Sequence, residues 1–395
     1  MRRPQLHTLL RSLSESGEAI TDINFTPGKP PQVERGGELS FPFIDPPLPE
    51  LTPYMTEHLA MLLLENRQPL LAQLVESGAC DFSYSVPGVA RFRVNVFRQR
   101  GSYSLVLRRL STRIPSIDDL VLPPAFREMV ELDQGLVLVT GGPGTGKTTS
   151  MAALVREINL SRPVHIVTLE DPVEFLHQHQ IGTVNQRELG LDFDTWANGM
   201  RAALRQAPRV IVVGELRDRE TAEMAICAAE NGHLVISTMR TTTVAQTVRR
   251  FADLFPPEEQ PRMLQRLAES LRWSVSQCLV PKTNGGRIAA LEVVRNTYRV
   301  ADLVRAGSVE EEDYRHLVKA GGNKGMQTAD DHLLQLCEDG FVRPDTARHY
   351  ASSRVEVQHE IDRIEREQAA ANDDDDESEL RMDFTFGRER TDGTS

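Results

Sequence analysis

The hydrophobic pattern changes character three times along the chain. Residues 6–16 read as an amphipathic helix, and a Pro- and Gly-rich stretch over 27–37 follows it. Phe92, Val94 and Val96 then alternate with Arg91, Arg93 and Asn95, before Gly101-Ser102 turns the chain into residues 103–109. That alternation predicts a β-hairpin with one apolar and one arginine-rich face. Residues 1–115 thus read as a small mixed domain, and 115–133, with Pro123-Pro124, as a linker into a short helix.

Beyond Gly135 the period switches. Short β-rich runs at 136–140, 164–169, 210–213 and 234–238 alternate with helical patterns, which predicts an α/β core with a parallel, doubly wound sheet over 116–300. Residues 301–355 are mostly helical, 354–371 continue as a polar helix, and 372–395 lose periodicity. Asp373 to Glu377 form an acidic run with nothing to bury, so the end of the 356–395 segment is expected to be a disordered tail.

With 395 residues, 40% hydrophobic and 26% charged, the chain is long enough for two or three domains with a sizeable core. The net charge of -12 is concentrated at the end: residues 356–395 carry 14 acids and 5 bases, against 43 and 40 in residues 1–355. A nearly neutral body lacks the positive field that drives phosphate-backbone binding, so no nucleic-acid partner is expected. Cys80, Cys227, Cys278 and Cys337 are scattered, with no Cys-x-x-Cys pair, which points neither to zinc nor to a disulfide framework. No run approaches the ~20 apolar residues that span a bilayer, so a cytoplasmic protein without a direct transmembrane segment is expected.

Candidate chemistry begins at Gly141-Gly142-Pro143-Gly144-Thr145-Gly146-Lys147-Thr148, followed by Thr149. It fits G-x-x-x-x-G-K-[ST] between a strand and a helix. Glycines turn backbone N–H groups toward phosphate oxygens, the helix presents its positive end, Lys147 neutralises charge and the Thr148 hydroxyl is suited to Mg²⁺. ATP with Mg²⁺ is the cofactor this predicts. Val210 to Glu215 is a buried strand ending in a carboxylate, placed to hold the metal's water shell beside the loop. Thr168 to Glu174 ends another strand with three acids, of which Glu170 is the candidate to polarise an attacking water.

These residues resemble the secretion ATPases, and within them the type IV pilus retraction motors of the PilT/PilU group. Residues 168–174 are similar to the family's Asp box, Gly214 to Asp218 to its atypical Walker B, Ala229 to Leu234 to its His box, and Gly325 to Thr328 to a further signature. Residues 107–115 and 204–208 look more like the PilU branch. The resemblance covers about residues 1–350. It implies an N-terminal PAS-like α+β domain, a RecA-like P-loop core and a C-terminal helical region. It also implies a homohexameric ring at the cytoplasmic face of the inner membrane, working on a pilus platform protein, with a sister retraction ATPase as a candidate partner. By the same resemblance, Glu170 is the catalytic glutamate, Glu215 the Walker B metal-site residue and His233 the retained His-box histidine. Arg93 and Arg108 look like the arginines brought to the phosphates, with Arg205 a further candidate.

One position departs from that pattern. Where the His box usually continues Thr-Leu-His-Thr, this chain has Thr238-Met239-Arg240-Thr241. A permanently charged guanidinium either still reads phosphate or weakens the switch that couples hydrolysis to motion. The main expectation is therefore an ATP-hydrolysing motor that powers or assists pilus retraction and twitching motility. The alternatives are a weakly hydrolysing ATP-binding ring that assists a sister motor, and a nucleic-acid translocase.

Overall fold

The computed structural model describes residues 2–366, apart from 18–19, 36–37, 45–46, 66, 111–112 and 365. The tail expected to be disordered lies outside the described residues, as does the end of the polar helix, which is helical over 354–364.

The first sheet is built from β1 (Ile20–Phe25), β2 (Gln32–Arg35), β3 (Glu38–Ser40), β4 (Ala79–Val86), β5 (Ala90–Gln99) and β6 (Ser102–Leu110). All its pairs are antiparallel, in the order β3-β2-β1-β6-β5-β4. Phe92, Val94 and Val96 of β5 are fully buried against the helices Arg3–Glu15 and Pro53–Leu64, while the arginines between them occupy the opposite face. The β5–β6 turn sits one residue earlier than expected. Arg100 and Gly101 form a two-residue loop with φ of 46° and 78°, the double positive-φ geometry that matches strand twist.

The second sheet contains β7 (Gly135–Thr140), β8 (His165–Glu170), β9 (Thr183–Glu188), β10 (Val210–Val213), β11 (Leu234–Met239), β12 (Leu271–Pro281) and β13 (Arg287–Arg295). Its order is β13-β12-β7-β11-β10-β8-β9. The pairings from β12 through β9 are parallel, and β13 returns antiparallel on β12. Strands β7, β10 and β11 are buried at every position, as a sheet covered on both faces requires. Val137 packs with Met151, Leu154 and Ile158 of the helix Lys147–Ser161, whereas Leu136 and Leu138 pack with Met200, Ile226, Phe251 and Leu267 from helices on the other face.

The β12–β13 hairpin adds one antiparallel pair to the parallel, doubly wound sheet that the sequence predicts. It forms the outer wall of the core and carries the C-terminal helices: Val280, Ile288 and Ala290 pack with Leu333, Leu336, Val357 and Ile361. The four cysteines form no disulfide. Among the described residues, no helix is long and apolar enough to cross a membrane.

Candidate active site

Parallel strands deliver their chain ends to one edge of the sheet, where the crossing connections leave a crevice. Four of those ends meet here. Gly141 follows β7, Glu170 closes β8, Gly214-Glu215 follow β10, and Thr238-Met239 end β11 with Arg240 next in the chain. Thr238 Oγ1 donates to the Gly214 carbonyl oxygen (2.6 Å) and Leu216 N to the Thr238 carbonyl (2.9 Å), tying the last two ends together.

The phosphate loop is held in shape by its glycines and by β12. Gly141 has φ of 147°, and a Cβ there would run into the Gln277 carbonyl oxygen and the Thr145 hydroxyl. Gly146, at φ of 87°, starts the helix Lys147–Ser161. Gln277 braces the loop from beneath: its Nε2 donates to the Thr145 carbonyl (2.7 Å) and its Oε1 accepts from Ser150 Oγ (2.9 Å). Lys147 Nζ lies over the loop, donating to the carbonyls of Gly141 (2.9 Å) and Gly142 (2.7 Å). Loss of hydration on burial lowers the pKa of that amine, and the nearby Glu215 carboxylate opposes the shift.

A cavity of about 280 Å³ opens beside the loop. From the loop it takes Pro143, Gly144, Lys147 and Thr148; from the strand ends, Glu170, Asp171, Glu215 and Arg240; from the first sheet, Arg93. A larger cavity of about 540 Å³ shares only Gly142 and Thr145 with the loop. The smaller one holds Lys147, Thr148 and both strand-end glutamates, the residues the sequence offers for phosphate chemistry. A third cavity, about 290 Å³, touches Gly146, Thr149 and Ser150 on the other side of the helix start. Its wall includes Val121, a β-branched residue at φ of 54°, a conformation such residues rarely adopt.

Glu170 is buried, 9% exposed, and its Oε1 accepts from Thr168 Oγ1 (2.7 Å) and Gln186 Nε2 (3.0 Å). Desolvation pushes its carboxyl above the ordinary carboxylate range, and those two hydrogen bonds pull back. Such a group is a stronger base than a solvated carboxylate, and its position is fixed. Glu215 is held differently: its Oε2 accepts from Arg217 Nε (2.7 Å), and its Oε1 faces Arg240 Nε (2.8 Å). Arg240 is thus turned onto the Walker B-like carboxylate, which settles its place in this geometry as a partner of Glu215. The oxygen donors Thr148 and Glu215 suit Mg²⁺, a hard cation that prefers a few protein oxygens beside phosphate. Among the described residues, no cluster of three or more His, Cys, Asp or Glu could hold a metal by itself.

Three residues expected at the site lie elsewhere. Arg108 pairs across the strands with Arg93, yet its Nε donates to Asp22 Oδ1 (2.9 Å) on the neighbouring β1, and it does not line the cavity. His233 precedes β11, at the end of that strand remote from the crevice, with Nδ1 3.0 Å from the Ala228 carbonyl. Arg205 is exposed just after the helix Trp196–Leu204. Conversely, Gln186 and Gln277 were not singled out by the sequence, because each acts through tertiary contacts that no local motif announces, and Arg217, inside the Walker B-like segment, was given no role of its own.

The profile of the family described as type II/IV secretion system protein matches residues 81–335. The chain is 37% identical over 350 residues to the type IV pilus ATPase PilU of Pseudomonas aeruginosa, covering 88% of this chain and 89% of that protein. It is also 37% identical over 334 residues to the retraction ATPase PilT of the same organism, covering 85% and 95%. The crystal structure of the pilus retraction motor PilT with bound ADP matches with a TM-score of 0.78 at 37% identity, over 89% of this chain and 98% of that one. The mixed fold, an N-terminal α+β domain beside a RecA-like core, agrees with that match. A family match running from β4 of the first sheet into the helix Ala329–Glu338, with relatives of nearly the same length, places this chain in the type II/IV secretion system protein family.

Proposed function

We propose that the chain is a Mg²⁺-dependent, ATP-hydrolysing motor of the pilus retraction class, on the PilU-like side of it. The observation that carries this reading is the cavity in which Lys147, Thr148, Glu170 and Glu215 of the core meet Arg93 of the first sheet. Lys147 and the loop amides bind the β- and γ-phosphates, and Glu170 takes the proton of the attacking water. Thr148 and Glu215 would hold Mg²⁺, which neutralises phosphate charge when bound. The base occupies the adjoining cavity at Gly146, Thr149 and Ser150. Work is done when the N-terminal domain, residues 1–115, moves against the core within a homohexamer that acts on a membrane platform protein. The names of the relatives support this class and give no support to a nucleic-acid translocase.

Arg93 is 42% exposed, with its Nε 3.6 Å from Asp81 Oδ1, so it is mobile enough to exchange that contact for phosphate. Arg93→Ala is expected to lower kcat about ten- to hundredfold with little change in ATP affinity, because the guanidinium adds charge only as the domains close. Steady-state turnover alongside ATP-analogue binding tests this. Equal loss of both would make Arg93 a ground-state binding residue.

Arg240 and Arg217 compete with a metal for Glu215. In Arg240→His the half-saturating Mg²⁺ concentration for turnover should fall about two- to fivefold, the range set by one partly exposed ion pair. An unchanged Mg²⁺ dependence would show that the Arg240 pair places no hold on the metal-site carboxylate.

A further inference from the structure

Strand β9 is one edge of the core sheet, and β4 is one edge of the N-terminal sheet. One buried carboxylate joins them. Glu188 Oε1 accepts from Ser83 N (2.9 Å), and its Oε2 accepts from Ser83 Oγ (2.5 Å), Arg91 Nη2 (3.1 Å) and Val173 N (3.1 Å). Arg91 Nε returns to the Val173 carbonyl (3.2 Å). Four donors from two domains satisfy a charge that would otherwise be costly to bury.

Two residues earlier on the same face of β9 is Gln186. Its Nε2 donates to Glu170 Oε1 (3.0 Å) and to the Phe175 carbonyl (2.7 Å). The register sets Thr168 beside Gln186 and Glu170 beside Glu188. The segment from Asp171 to Phe175, which leaves the candidate base, is therefore gripped at Val173 by Glu188 and Arg91 and at Phe175 by Gln186. Arg91 is two residues from Arg93 on β5, so the strand that is pinned is also the strand that presents Arg93 to the cavity.

We propose that Gln186 and Glu188 are positioning residues that set the N-terminal domain and the catalytic glutamate together. Glu188 pins β4 and β5 to the core, Gln186 orients Glu170, and the segment between them carries a shift of the pinned domain to Glu170. The inference rests on the ATPase reading of the cavity for its effect on turnover, but the pin itself is a matter of domain position.

The test uses the full chain with a donor–acceptor fluorophore pair, one on the N-terminal sheet and one on the core, with and without a non-hydrolysable ATP analogue and Mg²⁺. Glu188→Gln keeps side-chain volume and an oxygen for Ser83 N while removing the charge that holds Arg91, and its circular dichroism and thermal unfolding, recorded beside the parent's, separate a lost pin from a lost fold. It should shift or broaden the interdomain distance and lower kcat roughly ten- to hundredfold, the scale of a displacement near 1 Å, with KM within about twofold. Arg91→Gln should do the same. Gln186→Leu should lower kcat without moving the distance, and combined with Glu188→Gln it should cost less than the product of the two single losses. An interdomain distance in Glu188→Gln identical to the parent's overturns the pin, whatever turnover does. Fully multiplicative losses overturn the coupling to Glu170. A parent chain that hydrolyses no ATP but loses its domain position in Glu188→Gln would remove the ATPase reading and leave the pin standing.

Discussion

Replacing Glu170 by glutamine is expected to leave ATP bound and to slow its hydrolysis by roughly 10²–10⁴-fold, the range for losing a general base. The side chain is buried at the end of β8 and held by Thr168 and Gln186, so glutamine fits the same space and keeps the accepting oxygen. What it loses is basicity. Because burial raises the carboxyl's pKa, the acid limb of the parent's turnover should lie above the ordinary carboxylate range and vanish from the residual activity of the variant. The same shift has a stability consequence. A group whose folded pKa is raised contributes stability that is fully present below its unfolded pKa and is lost as pH rises through the folded value, so Glu170→Gln should flatten that decline. Single-turnover hydrolysis and thermal unfolding, each across pH, check the two effects. Loss of ATP binding with unaltered turnover of what remains bound would give Glu170 a different role.

Lys147→Ala should reduce nucleotide affinity by at least an order of magnitude and leave no detectable turnover. On the proposed reading Lys147 is the ammonium directed at the β- and γ-phosphates, and although the variant loses its bonds to the Gly141 and Gly142 carbonyls, the glycine conformations and the Gln277 brace remain. The loop should therefore stay folded in the variant while its charge is gone. Titration with a fluorescent ATP analogue measures the first effect and phosphate release the second. Unchanged affinity and turnover would remove this cavity as the site of ATP chemistry.

The contiguous part of the site was readable in the sequence. The loop from Gly141 to Thr148 needs its residues side by side, and Glu170 and Glu215 stand at ends of apolar strands that a doubly wound sheet must collect at one edge. What was hidden depends on packing. The hairpin β12–β13 escaped because Ser274, Ser276 and Gln277 interrupt its apolar run, yet all three are buried, and Thr140, Glu292 and Ser150 bond the latter two. Arg108 was expected beside the phosphates with Arg93, but Asp22 on the adjacent strand offers it a closer carboxylate. His233 sits next to β11 in sequence, at the end of that strand away from the crevice, which only the direction of the strand reveals. Arg240 stood out as a departure, but its partner Glu215 lies across the sheet edge and no spacing could name it.

The most direct measurement of the central claim is single-turnover hydrolysis of labelled ATP by the purified full chain with Mg²⁺, run beside the Glu170→Gln variant under conditions where both are saturated. The account predicts that the parent converts its bound ATP to ADP and phosphate while the variant holds ATP intact over the same time. A parent chain that binds ATP and returns it unhydrolysed, or a variant that matches the parent's rate, would contradict it.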